Sequence, residues 1–241
     1  DKIFEKICKN LAVLVIWLSM FFELCVAALL HYYNSTFFYY VLGISKGTAG
    51  ILIGVLGFAQ LITRLIFSVS SDKISCISER KKLLAFNTIA YVCCGVFVIL
   101  IGFSPWTWLS VLSFGGVYCC ISANCGSSYK MAVLVSRQHS HFVVSMMQLG
   151  KSFALFTPSI ILIFLENKSD IDGWRIVFSI YGCILIMSHF AFAYACTTEP
   201  ASFTREGGEN EDPFKGETNK CSTIPSKHPE NVALDRVAYK L

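Results

Sequence analysis

Apolar residues form six runs along the chain, each about as long as a membrane-spanning helix. A hydrocarbon core of ~30 Å requires about 20 helical residues. Runs of this length, separated by short polar stretches, predict transmembrane helices. The pattern therefore predicts an all-α integral membrane domain over residues 11–196, with spans at 11–33, 50–69, 83–103, 106–129, 142–165 and 174–196.

The two segments that flank this domain have different patterns. In residues 1–10, Ile3, Phe4 and Ile7 recur at helical spacing between lysines, which predicts a short helix lying at a membrane surface. Residues 197–241 are rich in Gly, Glu, Asn, Lys, Pro and Thr and show no apolar period, which predicts a disordered tail.

Basic residues are concentrated in alternate connections. Six spans place both termini on the same side of the membrane. The basic connections lie on that side, so the positive-inside rule predicts that the short N-terminal helix and the C-terminal tail are both cytoplasmic. Two N-x-S/T sequons, at Asn34 and Asn167, fall in the outward connections, but both lie close to the bilayer and we predict glycosylation at neither. The basic residues that define the orientation are Lys2, Lys6, Lys9, Lys73, Arg80, Lys81, Lys82, Lys130 and Arg137.

Composition excludes several classes of protein. Hydrophobic residues make up 54% of the chain and charged residues 15%, with a mean hydropathy of +0.58, which is too apolar for an ordinary soluble domain. The net charge is +4, and the basic residues form no stripe of the kind that binds nucleic acid. The 11 cysteines form no C-x-x-C motif, so we interpret them as small packing residues without a metal or cofactor.

The sequence also contains no motif of an intramembrane enzyme or a channel. Neither H-E-x-x-H nor G-x-S-x-G occurs, no TVGYG-like filter is present, and no span carries a basic residue at every third position. We therefore predict that the chain is not an enzyme. Because it begins at Asp1 rather than Met, we expect it to be a fragment.

Six polar side chains inside the predicted spans are the candidates for a substrate or ion pathway. A cation in the hydrocarbon core costs at least ~3 kcal/mol, so each charged group should face protein or water. Helix rise places Glu23 roughly 18 Å and Lys151 roughly 14 Å above the cytoplasmic starts of their spans, which makes an ion pair possible. The six residues are Glu23, Gln60, Arg64, Asn124, Gln148 and Lys151.

Two interpretations of these residues stay open. In the functional one, Lys151 attracts an anion while Glu23 takes a proton as the pair breaks; in the structural one, a fixed ion pair locks two helices. Arg64 either faces the pathway or extends to the membrane interface. Asn124 and Gln148 either bind substrate or bridge helices. We place His31 at the membrane interface.

The loop after the second span resembles that of a major facilitator transporter. Ser71-Asp72-Lys73, followed by a basic cluster that includes Arg80, is similar to the loop joining the second and third helices of each transporter half. Three further stretches resemble the anion/cation symporter group of sodium-phosphate cotransporters, sialin and vesicular glutamate transporters. They are YYVLGISKGTAGILIGVLGFAQ (39–60), SRQHSHFVVSMMQLGKSFALFTP (136–158) and NKSDIDGWRIVF (167–178).

The resemblance implies a fold and an arrangement of the site. It aligns the chain with the C-terminal half of a twelve-span transporter, built as two inverted three-helix repeats and partnered by an N-terminal half. The first, second, fourth and fifth helices would line the cavity, and Asp72, Lys73 and Arg80 would form a conformational gate. Glutamate transporters have an arginine where this chain has Glu23, so the likeness does not extend to one substrate.

The expected function is secondary active transport of an organic or inorganic anion, coupled to sodium or protons. The expected location is the plasma membrane, with a lysosomal or vesicular membrane as the alternative. Two alternatives remain: a non-transporting half-length partner or regulator, and a transporter of a non-anionic solute.

Overall fold

The computed structural model describes residues 2–74, 77–164, 170–201 and 204, with the backbone alone for residues 2–4 and 161–164. These residues belong to one compact unit, Asp1–Glu206, and contain helices and turns but no strand. The α-helices are α1 (Lys2–Lys9), α2 (Leu11–Tyr40), α3 (Lys46–Lys73), α4 (Glu79–Asn87), α5 (Cys94–Phe103), α6 (Thr107–Ser122), α7 (Ser128–Ser136), α8 (Ser140–Ala154), α9 (Thr157–Phe164) and α10 (Ile171–Ala195).

Within the described residues, five helical stretches are long and apolar enough to cross a membrane, as judged by length and composition. Exposed apolar side chains along them, such as Ile51 and Leu65, suit contact with lipid rather than water. The all-helical, apolar architecture indicates a membrane-embedded protein. The five stretches are Leu11–Tyr40, Lys46–Lys73, Glu79–Phe103, Thr107–Ile160 and Ile171–Ala195.

The fourth stretch contains both the predicted span 106–129 and most of the predicted span 142–165. Its 54 residues would extend roughly 80 Å if they were one straight helix, far more than a bilayer thickness. The stretch is instead interrupted by 3₁₀ turns at Ala123–Gly126 and Arg137–His139. Arg137 has a φ of 38°, in the left-handed region, and α7 packs against α8 on the two sides of this turn.

Helix α2 lies at the centre of the fold and contacts α3, α7, α8, α9 and α10. Asn10 caps its N-terminus by accepting hydrogen bonds from the backbone N–H groups of Ala12 and Val13. The helix ends before Gly43, whose φ of +67° favours glycine. It thus continues past residue 33, where the predicted span ends, because no helix-breaking residue intervenes.

The extension of α2 contains a cluster of aromatic residues between positions 32 and 40. Phe37 and Phe38 are buried, and they pack edge-on against Phe178 and Phe114, respectively. Tyr39 and Tyr40 are exposed. The alternation is helical, so one face of the cluster enters the core and the other does not.

Helix α3 is peripheral. Ser45 caps it by accepting from the N–H of Thr48, and only Ala49, Leu56 and Ser71 are buried along its 28 residues. A side chain added at Gly50, Gly54 or Gly57 would meet no described atom within 4 Å. No described part of this chain therefore packs closely against these glycines.

A close helix approach occurs elsewhere, between α5 and α10. A Cβ atom at Gly182 would lie 2.7 Å from the carbonyl oxygen of Gly95, and one at Gly95 would lie 2.8 Å from that of Gly182. Two glycines therefore let these backbones touch, as small residues do between membrane helices. A π-helical segment, Thr88–Cys93, joins α4 to α5 just before this crossing.

Two segments outside the apolar helices are also packed. Ile7 of α1 is buried in a cluster with Ile16 and Val135, so the amphipathic pattern of residues 1–10 does form a docked helix. Residues 197–201 and Thr204 fall in the predicted disordered tail, yet the N–H of Ala201 donates to the carbonyl of Val135 over 3.0 Å. The remainder of the tail lies outside the described residues.

Candidate functional site

A cavity of about 410 Å³ lies between α2, α3, the α6–α7 segment and α8. All six residues predicted for a pathway line this cavity: Glu23, Gln60, Arg64, Asn124, Gln148 and Lys151. The lining helices occupy the first, second, fourth and fifth predicted spans. The structure therefore brings together polar groups that are separated by up to 128 residues in the sequence (151 minus 23).

Glu23 occupies the most buried acidic position of the cavity. Its side chain is only 4% exposed, and its carboxylate accepts a hydrogen bond from the side-chain amide of Asn124. The sulfur of Met20 accepts from the same amide, and the Tyr91 hydroxyl is a close neighbour of the carboxylate. Burying a carboxylate is favourable only when such partners are present.

The orientation of the Asn124 amide follows from its other contacts. Its side-chain oxygen Oδ1 accepts from the Ser127 hydroxyl at 2.9 Å and from the Ser128 backbone N–H at 3.3 Å. A backbone N–H can only donate, so the atom facing Ser128 must be the oxygen. The amide NH₂ group is consequently the one that faces Glu23, which it supplies with a donor.

Asn124 reaches Glu23 because the helix is broken around it. The sequence Ala-Asn-Cys-Gly-Ser-Ser (123–128) combines small residues with side chains that compete for backbone hydrogen bonds. The 3₁₀ turn Ala123–Gly126 separates α6 from α7, and Gly126 lies so close to the ring of Phe86 that a Cβ would be 2.9 Å from it. Discontinuous helices of this kind expose polar groups inside membrane proteins.

The predicted ion pair between Glu23 and Lys151 is absent, although both side chains line the cavity. Lys151 lies in the last turn of α8, which ends at Ala154 rather than continuing to residue 165, and its side chain is exposed. The carboxylate of Glu23, which was expected to bind the lysine, instead accepts a hydrogen bond from the Asn124 amide. Sequence spacing gave similar depths but not the direction of either side chain.

Arg64 and Lys151 are the two cations of the cavity. Both are exposed, and neither forms an ion pair with any residue that the structure describes. Lys151 is placed favourably near the C-terminal, negative end of the α8 dipole. The lining thus contains one carboxylate and two cationic side chains.

Gln60 and Gln148 add amide groups to opposite walls. The backbone carbonyl of Gln60 accepts from the Ser122 hydroxyl at 3.0 Å, which also accepts from Thr63 at 3.1 Å. These bonds attach α3 to the end of α6 and leave the Gln60 amide at the cavity. Gln148 lies next to Tyr129 on the far wall.

Of the residues predicted to form a gate, Asp72 lies near a lysine that the sequence analysis did not assign to a site. Lys130 of α7 lies 3.8 Å from Asp72 and 3.4 Å from Glu79, and it donates to the carbonyl of Ser71 at 3.3 Å. It therefore joins the end of α3 to the start of α4. The sequence showed Lys130 only as one of several basic residues in a connection. Lys73 and Arg80 are exposed.

The connection between α3 and α4 is shorter than predicted. Residues 70–82 were expected to form an aqueous loop, but α3 ends at Lys73 and α4 begins at Glu79. Lys82 is 4% exposed and donates to the carbonyl of Ile74 at 2.9 Å and to Glu79 at 2.7 Å. A buried lysine with two acceptors stabilises the connection instead of remaining in solvent.

Asn34 is not in an outward connection. It lies inside α2, is 2% exposed, and donates from its side-chain amide to the Tyr118 hydroxyl at 3.0 Å. A side chain buried in this way is inaccessible to a glycan. Asn167 lies outside the described residues.

The sequence analysis missed other residues of the cavity lining. His31 was assigned to the membrane interface, and the structure shows that it lines the cavity, eight residues after Glu23 on α2. Tyr32, Cys125 and Tyr129 line it as well. These residues alternate with apolar neighbours at helical spacing, and that pattern was the only sign of them in the sequence. The pattern identifies lining residues only when the face of each helix that turns inward is known.

The fold and this cavity define a class: an all-helical, membrane-embedded protein with a polar cavity between its apolar helices. No family model matches the chain, and no curated protein matches its sequence.

Proposed function

We propose that the chain is part of a secondary active transporter that moves a small anion across a membrane. The observation that carries the proposal is one cavity in which two cations without ion-pair partners among the described residues face a buried carboxylate. Ionisable residues inside apolar helices are costly, and in membrane proteins they mark substrate and ion pathways.

Each charged group has a role in the proposed mechanism. The anion binds between Arg64 and Lys151, whose exposed side chains exchange water for the solute. Glu23 carries the coupling proton, because a carboxylate with an amide donor can be neutralised in place. Asn124 positions Glu23 in both states, since its NH₂ group can donate to the charged and to the protonated carboxyl. Sodium as the coupling ion is the alternative that the experiment below distinguishes.

The cavity suits a small solute. Ligand cavities have volumes of about 300–1,000 Å³, and the observed 410 Å³ lies within that range. The cavity is also lined by apolar groups such as Leu24, Ala27 and Ile121. An organic anion with a short apolar portion would contact both the charged and the apolar groups of the lining, whereas an inorganic ion would contact only the charged ones.

We propose further that the helices form six crossings and one half of a major facilitator fold, built from two inverted three-helix repeats. The turn at Arg137–His139 supports dividing the stretch Thr107–Ile160 into two crossings. Both termini are then cytoplasmic. The plasma membrane is the proposed location, and lysosomal or vesicular membranes are the alternatives.

A second candidate function is that of a half-length partner or regulator. The exposed apolar face of α3, with Gly50, Gly54 and Gly57 open to their surroundings, favours it, because small residues are common where membrane helices associate. The same face suits an N-terminal six-span half in the transporter proposal. A non-anionic solute is the remaining alternative.

The test is uptake of radiolabelled phosphate, glutamate and sialate into proteoliposomes that contain the chain together with whatever six-span half its transcript encodes. We expect accumulation driven by a proton gradient in the absence of sodium. Arg64→Met and Lys151→Met should each raise the half-saturating anion concentration by about tenfold. Glu23→Gln should abolish accumulation against a gradient but permit exchange of solute across the membrane.

A matched control is Lys9→Met, which removes an exposed lysine paired with Glu5 on α1, outside the cavity. It should leave uptake unchanged. Accumulation that follows a sodium gradient alone would assign the coupling to sodium, and no anion uptake with a folded protein would contradict the transporter proposal in favour of the partner role.

A further inference from the structure

We propose that His31 is an additional anion-binding residue of the cavity, which binds the negatively charged group of the solute when its ring is protonated. This inference rests on the proposed function and extends it. It assigns a role to a side chain whose position in the sequence indicated only a membrane interface.

The hydrogen bond of His31 determines which ring nitrogen faces the cavity. Its Nδ1 atom lies 2.8 Å from the backbone carbonyl oxygen of Ala27, one helical turn earlier. A carbonyl oxygen only accepts, so Nδ1 carries a hydrogen whether the ring is neutral or charged. Nε2, on the opposite edge of the ring, has no hydrogen-bond partner among the described residues and is the nitrogen available to a solute in the cavity that His31 lines.

The ring is also held from the side. Its centroid lies 5.5 Å from that of the Tyr118 ring at an angle of 54°. The hydroxyl of Tyr118 in turn accepts from the buried amide of Asn34 over 3.0 Å. This contact accounts for a fully buried asparagine within an apolar stretch of α2: it fixes the aromatic ring that supports His31.

Protonation therefore changes what this wall of the cavity presents. A neutral ring presents the lone pair of Nε2, which repels an anion; a protonated ring presents an N–H donor and a positive charge. His31 lies eight residues beyond Glu23 on α2, roughly 12 Å along the helix, so it acts at the other end of the cavity. A third cation there would attract an anion before it reaches Arg64 and Lys151.

Other titratable groups face the same cavity and must be separated from His31. On the cavity lining they are Glu23 and Tyr32 on α2, Arg64 on α3, Cys125 in the 3₁₀ turn, Tyr129 on α7 and Lys151 on α8. Tyr118 on α6 is not part of the lining but packs against the His31 ring. Histidine changes its charge between pH 5 and 8, whereas lysine, arginine and tyrosine keep theirs. Glu23 is thus the principal competing source of pH dependence, and the experiment removes it.

The experiment measures equilibrium binding of radiolabelled phosphate, glutamate and sialate to the full chain in lipid nanodiscs. Two conditions are compared, about pH 5.5 and about pH 7.5, on either side of the ordinary histidine range. In a Glu23→Gln background, we expect the anion that binds to do so about fivefold more tightly at the lower pH. Adding His31→Gln should lower that ratio about fivefold. For glutamate and sialate, whose carboxylates stay ionised at both pH values, the remaining ratio should be about one; for phosphate, it should be the ratio that its own change of charge produces.

Two further variants complete the design. His31→Lys, which keeps a charge at both pH values, should bind tightly at both. His141→Gln replaces an exposed histidine at the start of α8, outside the cavity, and should keep the fivefold ratio. Thermal unfolding of each variant in the same nanodiscs establishes that a lost ratio does not reflect lost folding.

The outcomes separate the two proposals. Saturable binding whose pH ratio is unchanged by His31→Gln overturns the role of His31 and leaves the proposed function intact. If His31→Lys does not restore tight binding at the higher pH, the charge of the ring is not the cause and the inference is likewise overturned. Absence of saturable binding of all three anions at both pH values contradicts this inference and the proposed anion transport together.

Discussion

At the scale of single residues, the orientation of one amide decides how the buried carboxylate behaves. The Ser128 backbone N–H and the Ser127 hydroxyl occupy the oxygen of Asn124, so its NH₂ group faces Glu23. This fixed donor stabilises the carboxylate without an ion pair and leaves Lys151 available to a solute. The amide would favour the opposite orientation only if the 3₁₀ turn refolded.

The energetic coupling between Asn124 and Glu23 is directly measurable. Asn124→Ala should destabilise the protein by about 1–3 kcal/mol, because it leaves a buried carboxylate without its donor. In a Glu23→Met background the same substitution should cost about 1 kcal/mol less. Thermal unfolding in detergent measures both losses. Gln148→Ala, an exposed amide on the same cavity, should cost little in either background, and equal losses for Asn124→Ala in both would contradict the coupling.

At the scale of helices, this fold uses its glycines in two different ways. Gly95 and Gly182 lie where α5 and α10 cross, and each backbone occupies the space where the other residue would carry a side chain. Gly54 lies on the exposed face of α3 and meets nothing. The first pair therefore determines how closely α5 and α10 approach, whereas Gly54 takes part in no close contact with a described residue.

Substitutions by alanine should separate the two groups of glycines. Gly182→Ala should lower the thermal unfolding temperature by several degrees, because the added Cβ would lie 2.5 Å from Ile99 and 2.7 Å from a backbone carbonyl. Gly54→Ala should raise it slightly, since alanine favours a helix by about 0.5–1 kcal/mol and meets no neighbour here. Similar shifts for the two variants would show that α5 and α10 do not approach as described.

The connection between α3 and α4 is likewise held by a side chain from a third helix. Lys130→Met removes the ion pairs with Asp72 and Glu79 and the bond to Ser71. We expect trypsin to cleave the chain between Lys73 and Lys81 roughly fivefold faster, corresponding to ~1 kcal/mol of lost stabilisation. Lys9→Met is the control for loss of an exposed ion pair, and unchanged cleavage in Lys130→Met would mean that these contacts do not hold the connection.

At the scale of the whole molecule, the number of crossings determines how the cavity is presented to the two sides of the membrane. Among the described residues, five stretches are apolar and long enough to cross, and the one over Thr107–Ile160 contains a turn at Arg137–His139. Five crossings would place the two termini on opposite sides, while six would place them on the same side.

Epitope tags distinguish these topologies. A tag at the N-terminus and one inserted after Gln138 should be detected only in permeabilised cells, whereas tags after Gly43 or Ser104 should be detected in intact cells expressing the chain at the plasma membrane. A tag at the C-terminus should behave like the one at the N-terminus, because six crossings return the chain to the cytoplasm. Opposite behaviour of the terminal tags would support five crossings.

Much of the architecture was predictable from the sequence because apolar length alone determines which segments can lie in a bilayer. The helices α2, α3, α10 and the stretch Glu79–Phe103 were located in this way, with errors at their ends. The polar residues Glu23 and Lys151 were identified by the cost of placing them in hydrocarbon. Their assignment to cavity-lining helices came from the family resemblance, and their depths indicated only that the two side chains could meet.

The tertiary structure decided which of these groups meet. Spacing along a helix specifies the depth of a side chain but not the face that its neighbours cover, so Asn124 rather than Lys151 was found beside Glu23. For the same reason, His31 turned out to line the cavity and Lys130 to join α3 to α4. The sequence by itself determined an apolar, helical, membrane-embedded chain with a few costly polar groups; long-range packing alone determined their partners.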